Sequence, residues 1–151
     1  MKRFFLIVVA TVALFSCNVS QSPPDGQTYG VPDEDGVRIV VKPNKIFSVD
    51  DLVKAGYKKS KQFDVATVPG AVEVWYGFFN KKNIEVRIFE SHETAMEFGE
   101  GPAEIISKKK RTGLIGSSVV SPYPAYAIVG NIVMLCEREL KTCTDLIAEL
   151  P

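Results

Sequence analysis

Two neighbouring apolar stretches, the second of which alternates with charged residues, restrict the fold of this chain more than any other feature. AVEVWYGFF occupies residues 71–79 and IEVRIFE occupies residues 84–90, with NKKN between them. A period of two places alternate side chains on opposite faces of a strand. Asparagine and lysine in a four-residue connection suit a hairpin. The segment therefore predicts an antiparallel β-hairpin with one buried face and one more polar face.

The C-terminal part of the chain repeats this arrangement. AYAIVGNIVMLCE, at residues 125–137, predicts a strand, a turn at Gly130–Asn131 and a second strand. Apolar residues between Leu140 and Leu150 then recur at helical spacing. This spacing predicts a final helix with one buried face.

A helix is also predicted directly after the first hairpin. Ser91 is a suitable N-cap, and glycine or proline at positions 99, 101 and 102 predicts a kink or two short helices. Strand, strand and helix thus occur twice, at 71–109 and 125–150. The predicted fold class is α+β. We expect a small antiparallel sheet built from two β-hairpins, each followed by a helix packed on one face.

The stretch before the first hairpin predicts two short elements. VRIVV, Val37–Val41, is rich in β-branched residues and is followed by Pro43, which is typical of an edge strand. Ser48 is a suitable N-cap for the sequence that follows it, and Gly56 is a suitable end. We therefore expect an edge strand and a short helix at the start of the domain.

The N-terminus has the order of charges and apolar residues that is typical of a secretory signal peptide. Lys2 and Arg3 form a short positive region, and Phe4–Phe15 is an apolar region of 12 residues. A transmembrane helix is the alternative, but it requires roughly 20 apolar residues. The apolar run here is shorter, and mostly polar residues follow Cys17. We therefore predict a cleaved signal peptide over residues 1–16.

Leu14-Phe15-Ser16-Cys17 follows this apolar region and resembles the lipobox of bacterial lipoproteins. The resemblance implies that the Cys17 thiol receives a diacylglyceryl group and that the leader is cut just before it. It also implies acylation of the new N-terminus with a chain such as palmitate. Two or more acyl chains anchor a protein stably to a membrane, whereas one chain binds only marginally. The alternative is an ordinary secretory signal with Cys17 unmodified in the mature chain.

The lipobox resemblance implies a location as well as a modification. The domain would be lipid-anchored to the cell membrane or the outer membrane, facing the extracytoplasmic side in the cell envelope or periplasm. Residues 17–36 are rich in Pro, Gly, Ser and Asp, so we expect them to form a flexible tether with a reach of ~25 Å. One folded domain is predicted at 37–151. The domain resembles small uncharacterised lipoproteins of environmental bacteria, and this likeness implies no activity.

The remaining two cysteines predict a disulfide. With Cys17 taken by lipid, Cys136 and Cys143 are an even number in an oxidising compartment. Cys136 ends a predicted strand and Cys143 lies early in the following helix, so their Cα atoms can approach to ~5.5 Å. The alternative is a pair of buried free thiols. Zinc is not expected, because the spacing does not match a zinc motif and the chain has a single histidine.

Charge and motifs argue against several classes of function. Removing Lys2 and Arg3 with the leader lowers the 18 basic residues to 16, against 18 acidic residues, a net charge of −2 that gives no basis for nucleic-acid binding. His92 and Glu93 begin a zinc-protease pattern, but position 96 is methionine and not the second histidine. We expect His92 to be an exposed residue in the first turn of a helix. The sequence predicts no catalytic residue, no metal and no cofactor.

The first predicted hairpin carries the candidate binding surface. Trp75 and Tyr76 belong to one strand, and Glu85 and Arg87 belong to the other. One face of the hairpin must line the core. The other face leaves one or two aromatic side chains beside Glu85 and Arg87 as a surface for a ligand or a protein. The alternative is that a helix covers these side chains.

The predicted function is a lipid-anchored extracytoplasmic binding or assembly module of unknown ligand. Its expected partners are the membrane, through acyl chains on Cys17, and a protein of the cell envelope. The alternative is a small cell-envelope hydrolase that uses two carboxylates, such as Glu73 and Glu85 across the hairpin. We favour binding over catalysis. A deep pocket lined by both carboxylates would favour the hydrolase, and a flat apolar sheet face would favour a protein partner.

Overall fold

A computed structural model describes residues 30–109, 111–112, 118–119 and 121–151 of the chain. The predicted signal peptide, the lipobox and Cys17 lie outside the described residues. Six strands form one sheet, and two short strands form a separate ribbon. In chain order the strands are β1 (Arg38–Val41), β2 (Lys58–Phe63), β3 (Ala71–Phe79), β4 (Lys82–Phe89), β5 (Arg111–Thr112), β6 (Ser118–Val119), β7 (Ala125–Val129) and β8 (Ile132–Cys136).

The helices of the described residues are short, and each connects or follows strands. They are α1 (Val49–Lys54), α2 (His92–Thr94), α3 (Gly101–Lys108) and α4 (Lys141–Ala148), with a 3-10 turn at Val65–Thr67 and a π-helical segment at Ala95–Glu100 between α2 and α3. None of these helices is long and apolar enough to span a membrane.

The large sheet is mixed but mostly antiparallel, which confirms the α+β class. Its strand order is β1-β7-β8-β4-β3-β2. Only β1 pairs in parallel, with β7, and the other neighbours are antiparallel. The two hairpins β3–β4 and β7–β8 are therefore joined through β4 and β8 at the centre of the sheet. The predicted edge strand β1 closes one side.

The strand β2 closes the other side of the sheet and was not predicted. Its sequence, KKSKQF, has no alternation of apolar and polar residues, and five of its six residues are exposed. It pairs with β3 through its backbone, and this pairing does not require apolar and polar side chains to alternate along β2. Lysines on an exposed edge also discourage pairing with another chain.

The helices pack on opposite faces of the sheet, so the predicted packing on one face is wrong. One face, here called the α4 face, packs Ile84, Val86 and Met134 against α1 and α4. The other, called the α3 face, packs Val133 and Leu135 with apolar residues of the π-helical segment and α3. The physical reason lies in β7 and β8, whose residues are all buried. A strand without polar alternation is covered on both faces and requires two helical layers.

The helix after the first hairpin is interrupted, as its glycines and proline predicted. The interruption takes the form of the π-helical segment, which ends where α3 begins at Gly101. Gly99 lies directly on the sheet, since a Cβ atom there would come within 2.7 Å of Val133 Cγ2 and 2.8 Å of Phe89 Cζ. A glycine at this position allows the helix to approach the α3 face closely.

Residues 30–36, predicted as the end of the tether, fold back on the domain. The Gly30 N–H donates to the carbonyl of Val40 at 2.7 Å, and the Asp33 N–H donates to the carbonyl of Arg38 at 2.9 Å. The boundary that the sequence placed between residues 36 and 37 thus lies inside a hydrogen-bonded turn. This turn borders a pocket at the β1 edge of the sheet.

Candidate functional site

The register of the β3–β4 hairpin separates the four residues of the candidate binding surface. Tyr76 lies opposite Glu85, and Trp75 lies opposite Val86. Because directly opposed residues point to the same face of a sheet, Tyr76 and Glu85 project from the α3 face. Arg87, two residues beyond Glu85, shares that face. Trp75 lies on the α4 face, where it packs against the core.

Trp75 forms its own small surface with residues on its side of the sheet. Its indole Nε1–H donates to Glu73 Oε2 at 2.7 Å, and the Lys59 ammonium lies 4.9 Å from the ring centroid. Glu73 lies opposite Ile88 in the register and so also belongs to the α4 face. The proposed pairing of Glu73 with Glu85 in a hydrolase is therefore wrong, because their carboxylates project from opposite faces of the sheet.

Glu85 and Arg87 form an ion pair against the α3 face. Arg87 is 6% exposed. Its Nε–H and Nη2–H both donate to Glu85 Oε1, at 2.8 and 2.7 Å. A guanidinium that is buried to this extent requires a partner, because an unpaired buried charge is costly. Among the described residues nothing donates to the second oxygen, Glu85 Oε2, which leaves it able to accept a hydrogen bond from a ligand.

A pocket of about 220 Å³ opens beside Glu85 on the α3 face. We call it the Glu85 pocket. Most of its lining surface is apolar, and its apolar residues are Ile106 of α3, Leu135 of β8 and Pro122. Besides Glu85, its polar residues are Tyr123, Lys109 and Ser121. Small-molecule sites have this general composition, a mostly apolar cavity with a few placed polar groups.

Tyr123 was missed by the sequence analysis, although its surroundings carry a signal. It lies between Pro122 and Pro124, and proline restricts the backbone both at its own position and at the residue before it. The Tyr123 N–H donates to Ser121 Oγ at 3.1 Å, and Ser121 Oγ–H donates to the Tyr123 carbonyl at 3.2 Å. Burial, followed by the Glu85 carboxylate, raises the pKa of Tyr123 to about 12, so its hydroxyl is neutral at physiological pH.

Tyr76 borders this site on the sheet. Its hydroxyl donates to Asn83 Oδ1 at 2.6 Å, and its ring meets that of Phe78 edge to face, with the centroids 5.2 Å apart. Both contacts fix the ring direction. Tyr76, Glu85 and Arg87 thus form a polar strip on the α3 face, and the sequence analysis named all three.

Cys136 and Cys143 form a disulfide with their Cα atoms 5.5 Å apart. The bond joins the end of β8 to α4. Both cysteines are buried among the core residues of the α4 face, so the disulfide lies on the other side of the sheet from the Glu85 pocket. Its role is to hold α4 on the sheet.

His92 begins α2 as expected, but it is 8% exposed and not on the surface. Its Nδ1 lies 2.8 Å from the carbonyl oxygen of Gly130 in the β7–β8 turn. The prediction that His92 is exposed was wrong because the β7–β8 turn covers the start of α2. In the described part of the chain no group of three or more histidine, cysteine, aspartate or glutamate residues could hold a metal ion.

Comparison with known proteins finds a partial similarity to one family and indicates no activity. The profile of a family of unknown function, DUF6810, matches residues 48–112. This similarity covers less than half of the chain. It includes Trp75, Tyr76, Glu85 and Arg87 but neither Tyr123 nor the two cysteines of the disulfide. No curated protein and no solved structure matches the chain.

Proposed function

We propose that this protein is a lipid-anchored extracytoplasmic binding module whose ligand occupies the Glu85 pocket. One observation carries the proposal. Arg87 binds one oxygen of the Glu85 carboxylate, and no other described residue donates to the second oxygen, which lies beside a mostly apolar cavity. Apolar walls strengthen a hydrogen bond to such an oxygen, because they lower the local dielectric. The favoured ligand has a compact apolar body and one N–H or O–H donor.

The composition of the pocket supports binding more than catalysis. A glycoside hydrolase requires two carboxylates on either side of the scissile bond. Glu85 is the one carboxylate among the described residues that line the pocket, and it is already paired with Arg87. The proposal therefore assigns no catalytic residue and no cofactor.

The anchoring half of the proposal rests on Cys17 and on the apolar region before it. Cells expressing the full chain would be labelled with an alkyne analogue of palmitate. We expect label on the wild type and on a C136A/C143A control, which keeps Cys17, and none on Cys17→Ser. The labelled protein should fractionate with membranes. Equal labelling of the wild type and Cys17→Ser would contradict the anchor.

The binding half can be tested with a matched pair of substitutions on α3. Ile106 lines the Glu85 pocket, whereas its neighbour Ile105 is 69% exposed. Ile106→Trp should fill the pocket, and Ile105→Trp should add the same bulk to the surface. Substituting Glu85 itself is less informative, since it would leave the Arg87 charge buried without a partner.

Benzyl alcohol is a suitable neutral probe, because it has an apolar ring and one O–H donor. We would titrate the full chain in detergent micelles and follow amide NMR shifts. Shifts around Leu135 should saturate in the wild type and in Ile105→Trp and be lost in Ile106→Trp. Equal shifts in Ile106→Trp would contradict the Glu85 pocket as the binding site.

A protein of the cell envelope remains the proposed partner if the module serves assembly. A pull-down from detergent-solubilised membranes would compare the wild type with Ile106→Trp and Trp75→Ala. Loss of a partner with Ile106→Trp alone would support the α3 face. Loss with Trp75→Ala alone would contradict it and move the partner surface to the α4 face.

A further inference from the structure

We propose a second binding site, for a small organic cation that carries ammonium or guanidinium groups, in an acidic pocket at the β1 edge of the sheet. This pocket has a volume of about 310 Å³. We call it the acidic pocket. Its charged lining residues are Asp33, Asp35, Arg38, Glu100, Glu104 and Lys108. None of them lines the Glu85 pocket, so this inference does not depend on the proposed function.

Four parts of the fold meet at this pocket. The turn at residues 33–36 leads into β1, and Asp33 fixes it, because Asp33 Oδ1 accepts the backbone N–H groups of Val37 and Arg38 at 2.7 and 3.0 Å. The end of the π-helical segment supplies Glu100, and α3 supplies Glu104. Tyr126 of β7, which lies opposite Arg38 in the β1–β7 register, forms the base.

The charges of the lining favour a cation. Four carboxylates face two basic side chains. Arg38 Nε lies 2.5 Å from Glu100 Oε1, and Lys108 Nζ lies 2.5 Å from Glu104 Oε1. Among the described lining residues, four carboxylates thus outnumber two basic groups, and Asp33 and Asp35 are the two that form no ion pair. A ligand with two positive charges would neutralise the lining.

Tyr126 provides an independent reason to expect a ligand. It is 2% exposed, yet its hydroxyl has no hydrogen-bond partner among the described residues, and it lines the pocket. Within the pocket this oxygen is left to bond water or a ligand. Burial, followed by the Glu100 carboxylate, raises the pKa of Tyr126 to about 12. The neutral phenol oxygen can therefore accept an N–H from a bound cation.

The geometry favours an extended organic cation over a metal ion. Within residues 30–109 and 121–151, the carboxylates are not grouped closely enough for three of them to hold one ion. A ligand with several N–H donors spread along a chain can reach separated carboxylates and the Tyr126 hydroxyl together. Agmatine, with one ammonium and one guanidinium group, is the probe that fits this pattern.

The test is a calorimetric titration of the full chain in neutral detergent micelles with agmatine at low salt. We expect saturable binding with one site in the wild type. Tyr126→Phe keeps the ring and removes the hydroxyl, and should weaken binding about fivefold. Glu104→Gln should weaken it by a similar factor and serves as the second variant if Tyr126→Phe unfolds.

Two controls separate the acidic pocket from general attraction to acidic surface. Glu97→Gln removes an exposed carboxylate of the π-helical segment, which also carries Glu100, and Glu97 does not line the pocket. This variant should bind agmatine like the wild type. Ile106→Trp should also bind normally, because it alters only the Glu85 pocket. Equal binding in Glu104→Gln and the wild type, or equal weakening by Glu97→Gln and Glu104→Gln, would overturn the proposal.

Discussion

The side-chain amide of Asn131 forms a two-way hydrogen-bond pair with the backbone of Phe47. The Phe47 N–H donates to Asn131 Oδ1 at 2.7 Å, and Asn131 Nδ2–H donates to the Phe47 carbonyl at 3.1 Å. The same Nδ2 donates to the Phe89 carbonyl at 2.8 Å. One buried side chain in the β7–β8 turn therefore fixes both the segment before α1 and the end of β4.

We expect Asn131→Ala to lower the free energy of unfolding by about 3 kcal/mol. The change removes three buried hydrogen bonds and leaves backbone groups of Phe47 and Phe89 without partners, each at a cost of ~1 kcal/mol or more. Urea unfolding followed by circular dichroism measures the effect. Asn44→Ala, at an exposed position of the loop that contains Phe47, is the control and should change stability by less than ~0.5 kcal/mol. Equal stability of the two variants would contradict a role for the amide.

Removal of the Cys136–Cys143 disulfide should destabilise the domain modestly. The bond closes a loop with a sequence separation of 7, for which chain entropy gives about 2 kcal/mol. Dithiothreitol should lower the urea midpoint of the wild type by a corresponding amount. The C136A/C143A variant should begin near the reduced midpoint and should not respond to dithiothreitol. A wild-type midpoint that is independent of reductant would show that the bond contributes nothing.

Gly77 lies where β2, β3 and Tyr57 meet, and no side chain fits there. A Cβ atom would come within 2.3 Å of the Lys58 carbonyl oxygen and 2.6 Å of Tyr57 Cζ. Since the first of these is backbone, we expect Gly77→Ala to cost about 3 kcal/mol through overpacking. Gly101→Ala is the matched control, because a Cβ atom there meets nothing within 4 Å. Thermal unfolding of both variants tests this, and similar melting temperatures would contradict the close approach at Gly77.

The parts of the fold that follow from local pattern could be predicted from the sequence. The hairpin β3–β4 and the cap at Ser48 are where the sequence analysis placed them. The β3–β4 turn is shorter than predicted, with two residues, Asn80 and Lys81, at positive φ of 50° and 64°. Such a turn matches the twist of the strands, and the strands continue into residues that the sequence analysis assigned to the connection.

The parts that depend on distant contacts could not be predicted in the same way. The strand β2 follows from pairing with β3, and its lysine-rich sequence carries no period. Trp75 and Glu85 were grouped as one surface, although a single step of register decides which face each one reaches. Tyr123 and Tyr126 become site residues only because the fold places residues 121–124 on the α3 face and pairs β7 with β1. Such placement depends on tertiary packing, which local patterns do not encode.

Tyr57 makes the stability of the domain sensitive to alkaline pH. It is 1% exposed, and its hydroxyl lies 3.1 Å from the Ile84 carbonyl oxygen and 3.3 Å from that of Trp75. Burial is the main reason that the pKa of Tyr57 is raised well above its ordinary value of 10.0. Below pH 10 the phenol is protonated in both the folded and the unfolded chain, so it adds no pH dependence there.

Above pH 10 the unfolded chain loses this proton while the folded chain retains it, so stability falls as the pH rises. One such group contributes a slope of about 1.4 kcal/mol per pH unit until the folded-state pKa is reached. Tyr57→Phe should lower stability at pH 7 by about 1 kcal/mol through the lost hydrogen bond. It should also reduce the loss of stability between pH 10 and 11 by roughly the slope of one group. Urea midpoints measured from pH 7 to 11 for both proteins test this, and parallel curves above pH 10 would show that Tyr57 ionises freely in the folded state.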